Sequence, residues 1–399
     1  MDNPELTRML EWLKENKAEF DDIYFNEYDN NERGVHSKND IQKDKNVIKI
    51  PKKLLIHSGR PSKYGNLMDE YDITTPKKKL DKLVLFMLED MKNPNSFYKP
   101  YYDILPHDLS HLPIFWTDEE IGNLENSHFV SHILNRQKML ENNYEKLSKL
   151  PQFAEEFSFG DYCKVRSLVG SRNFALKIDD ENVAAMVPLG DMFNHKIEPD
   201  VRWTFDPKLD SYVMRANHPI LKSQTITDSY GKKSNKDYLL YYGFTSGNND
   251  LDSKMFIDLD YDLSDDLISQ EKKNLINQEQ NYFLERIINS KDNQRLLSQL
   301  RIICADVKEI KHIIENHSGD SIVPFISKKN EIKALKLFLE ILKKEKENYR
   351  TSLDDNIKLL KGEENTNKKS ALNIIVLEKE TINILERNIQ KILNDNMFN

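Results

Sequence analysis

Three short segments concentrate the residues that could do chemistry. They are Ser171-Arg172-Asn173-Phe174, then Pro188-Leu189-Gly190-Asp191-Met192-Phe193-Asn194-His195, then Ser229-Tyr230-Gly231-Lys232-Lys233-Ser234-Asn235 running on to Tyr242-Gly243-Phe244. Arg172 carries a planar charged fork that suits a carboxylate. No second His or Cys sits at ligand spacing near His195, so it does not read as a metal ligand. Taken singly, each residue has a plain reading. Arg172 would be a surface ion pair, His195 a hydrogen-bonded core residue, Tyr230 a strand residue and Phe244 core. Gly231-Lys232-Lys233-Ser234 is a poor phosphate loop, because Lys233 stands where Ser or Thr should follow Lys232 and Ile226 stands where the first glycine should be. The chain has no G-x-G-x-x-G, which argues against a dinucleotide fold.

The surrounding elements alternate between strand-like and helical patterns. Leu6, Met9, Leu10 and Leu13 share one helical face. Ile23-Tyr24-Phe25 and Val47 to Ile50 read as strands, with Arg33-Gly34-Val35 and Asn39-Asp40 as turns between them. From about 67 to 170 the pattern is helical, interrupted at Pro94 to Tyr102 by a proline-bearing loop. Strand-like runs return from 184 to 247: Val183 to Leu189, Tyr212 to Arg215 and Thr225 to Tyr230. Beyond about 265 the chain reads as helix. Leu296, Leu300, Ile303, Val307, Ile310 and Ile314 form one apolar stripe, and Glu331 to Tyr349 and Ser370 to Leu393 follow similarly. This is an α+β organisation with a separate helical C-terminal part.

Composition narrows the function classes. The chain has 399 residues and a formal charge of −8, without the basic excess of a protein that tracks phosphate backbones. Lys77-Lys78-Lys79 reads as a solvated face. No apolar run approaches the ~20 residues of a membrane span, and the first residues do not form a secretory signal. Two cysteines, Cys163 and Cys304, suggest neither a disulfide scaffold nor a thiolate zinc site and fit a reducing compartment, cytoplasmic or nuclear. The expected partner is another protein, with no nucleic acid and no membrane, and the expected state is a monomer.

Taken together and in order, the three segments resemble the SET-domain protein methyltransferases, within the branch that contains the Rubisco large-subunit lysine methyltransferase and the actin-histidine methyltransferase. Gly34-Val35, Asp40-Ile41 and Ile50-Pro51-Lys52-Lys53-Leu54-Leu55 resemble its opening strands. Pro94 to Phe97 with Pro100-Tyr101 and Leu105-Pro106 resemble its helical insert. Leu297 to Arg301, Asn330-Glu331 and Tyr349 resemble its C-terminal substrate-binding domain. The resemblance implies a β-rich SET fold with a helical insert (iSET), followed by an all-α domain. The segments expected are 1–66 for the first part of the SET domain, 67–170 for the insert, 171–250 for the second part and 251–399 for the helical domain.

The implied cofactor is S-adenosylmethionine, leaving as S-adenosylhomocysteine, with no metal. Tyr230 takes the position of the catalytic tyrosine, whose hydroxyl joins backbone carbonyls in weak C–H···O contacts around the transferred methyl. Asn31, Glu32 and Arg33 match the early cofactor loop. Arg172 matches the residue facing the cofactor carboxylate, Asn194-His195 the pair that holds the cofactor, and Phe244 the aromatic near the adenine. Asp191 and Tyr242 are carried over as cofactor contacts. Phe174, Gly190, Asp228 and Tyr242 fall in the acceptor channel.

Histidine-directed members of the branch place Asn at the position of Phe174 and Trp at that of Gly190. Asn can hydrogen-bond an imidazole, whereas Phe suits an aliphatic stem and a neutral amine, so lysine is the expected acceptor. Actin-type histidine methylation is the alternative, and a SET-like binding module without catalysis is the second. Lys222-Ser223-Gln224 departs from the branch's Gly-Glu turn, and Thr227-Asp228-Ser229 is more polar than its usual strand.

Overall fold

A computed structural model describes residues 3–28, 33–75, 77–246, 255–259, 269–276, 281–317 and 322–395. The chain forms two compact units: Met1–Leu109 with Arg136–Lys233, and Ser110–Asn135 with Ser234–Asn399.

The first unit opens with a helix, Pro4–Glu15, capped by the Asn3 side chain and burying Leu6, Met9, Trp12 and Leu13. Ten short strands follow: β1 (Ile23–Glu27), β2 (Arg33–Ser37), β3 (Asn46–Pro51), β4 (Ile56–His57), β5 (Asn173–Ile178), β6 (Glu181–Met186), β7 (Asn194–His195), β8 (Val201–Asp206), β9 (Ser211–Ala216) and β10 (Thr227–Asp228). They make small sheets, ordered β1-β2, β3-β9-β8, β4-β6-β5 and β10-β7. Arg33-Gly34-Val35 is strand, not turn. Phe25 pairs with Val35, and Val35 is fully buried, so tertiary pairing outweighs the local turn preference of Gly34.

Between β4 and β5 run the helices Lys78–Met91, Phe129–Leu147 and Phe159–Arg172. The last begins with a capping box of Ser158 and Asp161 and delivers Arg172 at its C-terminus. The loop expected over 94–102 contains one helical turn, Lys99–Tyr102, which buries Tyr101.

The second unit is mainly helical. Leu296, Leu300, Phe338, Leu342, Ile382 and Leu385 belong to its main core. Trp116, Phe129 and Leu239 pack with Ala371 and Ile374 of the long helix Thr366–Asn394 in a second cluster. Two expectations change here. Residues beyond 265 are not wholly helical, because β11 (Met255–Asp258) pairs antiparallel with β12 (Asn281–Leu284). The single stripe from Leu296 to Ile314 is two helices, Lys291–Cys304 and Val307–Asn316. Asp306 starts the second with a capping box closed by Glu309. The turn rotates the stripe, leaving Val307 and Ile314 exposed.

Among the described residues, no helix is long and apolar enough to cross a membrane.

Candidate active site

The parallel pairing of β7 with β10 organises the site. Asn194 lies opposite Thr227, and His195 opposite Asp228. Two residues cannot hold a sheet alone, and Asp200 supplies the clamp. Its buried carboxylate accepts the Thr227 amide at 2.9 Å and the Thr227 hydroxyl at 2.6 Å, while its own amide donates to the Thr227 carbonyl at 3.0 Å. The Lys196 amide donates to the Asp228 carbonyl at 2.8 Å.

This pairing brings Tyr230 against the Asn-His motif. The Tyr230 amide donates to His195 Nδ1 at 3.1 Å, and its hydroxyl donates to the Phe193 carbonyl at 2.9 Å. The two rings stack with centroids 5.2 Å apart. Burial lowers the His195 pKa, and the Lys233 ammonium lowers it further. A neutral imidazole accepting at Nδ1 is the form this geometry requires. Asn194 Nδ2 donates to the Arg33 carbonyl at 2.8 Å, joining the motif to β2. The Arg33 side chain bonds Glu27 at 3.2 Å. Asn31 and Glu32 lie outside the described residues.

Arg172 meets Asp191. One guanidinium nitrogen, Nη1, donates to the Asp191 carbonyl at 3.2 Å and to its Oδ2 at 3.3 Å. Tyr101 donates to the same Oδ2 at 2.8 Å. The Asp191 side chain is 1% exposed and that of Arg172 28%. Burial pushes the Asp191 carboxyl up, against the pull of Arg172 and Tyr101. Burial works against the Arg172 charge as well, but Asp191, Tyr101 and Tyr230 together outweigh it and the guanidinium stays protonated. Asp191 Oδ1 is buried with no hydrogen-bond partner among the described residues.

Three of the four residues expected in the acceptor channel, Phe174, Gly190 and Asp228, converge on Tyr212, which the sequence shows only as part of a strand. Phe174 packs edge-on against Tyr212 and Trp203, both at 5.2 Å between centroids. A Cβ on Gly190 would stand 2.8 Å from Val187 Cγ1 and 3.3 Å from Tyr212 Cε1. Tyr212 is fully buried, and its hydroxyl has no partner among the described residues. Burial, then the charges of Asp228 and Asp191, hold its pKa well above the usual phenol range. Asp228 is 4% exposed. Burial raises its pKa to about 6, with the Ser229 amide pulling the other way.

Tyr242 and Phe244 belong to the second unit. The helix Asn235–Tyr242 ends on Gly243, whose φ of 77° makes the αL cap that a side chain would strain. Phe244 then folds back to stack on Tyr238 with centroids 5.3 Å apart. Burial raises the Tyr242 pKa to about 12.

Tyr101, Asp200, Tyr212 and the Phe193 carbonyl are therefore parts of the site that motif reading missed. Only the buried placement of Tyr101 and Tyr212, two polar-tipped rings, could have flagged them, and burial is not a property of the sequence.

The site can hold a carboxylate at Arg172, keep an imidazole neutral and present two oxygens, Tyr230 Oη and Phe193 O, side by side. Among the described residues no group of three or more His, Cys, Asp or Glu is placed to hold a metal. The SET domain family matches residues 32–231, and the family described as Rubisco LSMT substrate-binding matches 263–382. The actin-histidine N-methyltransferase of Xenopus tropicalis is 27% identical over 94% of this chain and 68% of its own length. That of Gallus gallus is 26% identical over 96% and 67%. A crystal structure of the SET domain of LSMT bound to lysine and AdoHcy superposes with a TM-score of 0.78 at 19% identity, over 99% of this chain and 94% of that one. Rubisco LSMT bound to AdoMet superposes with a TM-score of 0.76 at 18% identity, over 99% and 94%. The chain belongs to the SET-domain family and carries a Rubisco LSMT substrate-binding region after its SET domain.

Proposed function

We propose that this SET-domain protein, an S-adenosylmethionine-dependent protein methyltransferase, transfers the methyl to the side-chain nitrogen of lysine in another protein. The observation that carries the choice is the aromatic wall of Phe174, Tyr212 and Trp203. Phe174 offers no hydrogen bond to an imidazole, and its ring suits the four methylenes of a lysine stem. Gly190 has no room for a larger side chain unless Val187 and Tyr212 shift. Histidine is the second reading, favoured by the actin-histidine N-methyltransferases among the relatives.

The residues present fit the cofactor. Arg172 is a charged donor for its carboxylate, and Asn194 and His195 border it on the β7 side. Tyr242 and Phe244 are assigned to the cofactor and Tyr242 also to the channel, as are Arg33 and the loop residues Asn31 and Glu32 to the cofactor. When bound, S-adenosylmethionine supplies a methyl on a sulfonium, ready for in-line displacement. Tyr230 Oη, with its proton committed to the Phe193 carbonyl, turns its lone pairs to the polarised methyl hydrogens. Asp191 holds Arg172 in place, and His195 fixes the Tyr230 backbone. The chain's contribution is positioning and electrostatics in a dry channel. The helical second unit bears the substrate-binding match and contributes to the choice of protein.

The test is incubation with labelled S-adenosylmethionine, cell extract and purified actin, followed by mapping of the modified peptide. Label on lysine is expected. Label on an actin histidine and on no lysine would overturn the reading. No thermal stabilisation by S-adenosylmethionine would overturn methyl transfer altogether.

A further inference from the structure

We propose that Asp228 and Tyr212 form the cation-receiving end of the acceptor channel, where the Asp228 carboxylate pairs with the incoming ammonium and takes its proton before methyl transfer. This rests on the lysine reading above and adds the group that makes the amine nucleophilic.

Three observations carry it. Asp228 is 4% exposed, and among the described residues no cation pairs with it. An unpaired buried carboxylate is costly, and folds keep one only with a compensating partner. Tyr212 Oη, fully buried, has no hydrogen-bond partner among the described residues, although buried hydroxyls nearly always have one. Asp191 Oδ1 is a second unmatched oxygen. Two unmatched oxygens and an unpaired carboxylate around the aromatic wall of Phe174 and Trp203 are complementary to one small cationic donor on an aliphatic stem.

The charged and titratable neighbours leave Asp228 available. From β9 the neighbour is Tyr212, which also feels Asp191 in the turn after β6, whose charge Arg172 meets. From β7 it is His195, opposite in register and held neutral by burial. On β8, Arg202 is engaged with Asp44 and the Ala216 carbonyl. With its pKa raised to about 6, Asp228 is ionised at neutral pH yet a far better base than a surface carboxylate. The transfer is R–NH3+ plus Asp228–COO− to R–NH2 plus Asp228–COOH. The freed electron pair then forms the N–CH3 bond as the C–S bond breaks, and the sulfur leaves as a neutral thioether.

The experiment is calorimetric titration of the S-adenosylhomocysteine complex with Nα-acetyl-lysine amide and, as control, Nα-acetyl-norleucine amide. Asp228→Asn is expected to weaken lysine-amide binding by more than about tenfold at neutral pH. The difference should shrink below the Asp228 pKa, and norleucine-amide binding should not change. Tyr212→Phe, which keeps the ring packing, is expected to weaken lysine-amide binding about fivefold. Equal affinity in wild type and both variants, or equal losses for both ligands, would overturn the proposal. So would a wild type that binds neither. Mapped label on histidine, with Asp228-dependent lysine-amide binding intact, would instead remove the lysine function and leave the cation site standing.

Discussion

The backbone amide of Tyr230 donates to His195 Nδ1 at 3.1 Å, and their rings stack 5.2 Å apart. Residues 35 positions apart in sequence thus act as one unit. His195 sets the backbone of Tyr230, and the Phe193 carbonyl sets its hydroxyl.

Tyr230→Phe should therefore cut turnover while leaving cofactor binding nearly intact. It removes one C–H···O acceptor, worth about 1 kcal/mol, and strips the Phe193 carbonyl of its partner, at about 1–3 kcal/mol. With both terms acting in the transition state, the combined loss of about 2–4 kcal/mol is about 30- to 900-fold in kcat. Initial rates and S-adenosylmethionine titration check it, and an unchanged kcat would remove Tyr230 from the chemistry.

The lowered His195 pKa makes stability pH-dependent. The unfolded chain takes up the proton near pH ~6.5, and the fold resists it. The stabilisation is fully present above that value and is lost as pH falls through the lower folded-state pKa. His195→Asn keeps an acceptor for the Tyr230 amide and does not titrate. Its melting temperature should fall less steeply than that of wild type as pH is lowered below ~6.5.

Asp228 has the opposite sign. Its folded pKa is about 6 against an ordinary 3.8. The cost of its buried charge therefore grows as pH rises from 3.8 to about 6, and it is complete above that. Asp228→Asn should stabilise the ligand-free protein by about 2–3 kcal/mol at neutral pH and by almost nothing below pH 3.8. Denaturant titration at both pH values measures it.

In the second unit, Arg301 forms a bidentate pair with Glu331 at 2.6 and 2.8 Å and also donates to the Val323 carbonyl at 2.8 Å. Both side chains are less than 9% exposed. Arg301→Ala should cost about 3–5 kcal/mol by leaving Glu331 buried and unpaired, whereas Arg301→Met with Glu331→Leu should come close to wild type. Urea midpoints of the single and double variants decide between pair and packing.

Filling Gly190 should damage both fold and acceptor channel. The added Cβ of Gly190→Ala meets Val187 Cγ1 at 2.8 Å and Tyr212 at 3.3 Å, an overpacking cost of about 1–3 kcal/mol. The melting temperature should drop, and lysine-peptide KM should rise with the displacement of Tyr212.

Much of this site was legible as sequence because its parts are contiguous. Asn194-His195 and Ser229-Tyr230-Gly231 each keep their residue types within a few positions, as does Ser171-Arg172, and the order of the segments pointed to the SET fold that comparison bears out. Helices with a clear apolar face, such as Pro4–Glu15, were equally visible, whereas Asn235–Tyr242, in the stretch read as strands, was not. Apolar spacing alone could not show the break at Ala305-Asp306, because Asp306 ends one stripe only by capping a new helix.

Local motifs specify residue type and near-neighbour geometry, so the groups that can meet a methyl donor are already written in the order of residues. The tertiary structure alone decided that Asp200 clamps Thr227, that Tyr101 joins Arg172 at Asp191, and that Phe174, Gly190 and Asp228 gather around Tyr212. Those relations depend on strand pairing and on burial. Burial turns an ordinary aspartate and tyrosine into unmatched polar groups, and no local pattern of residues encodes it.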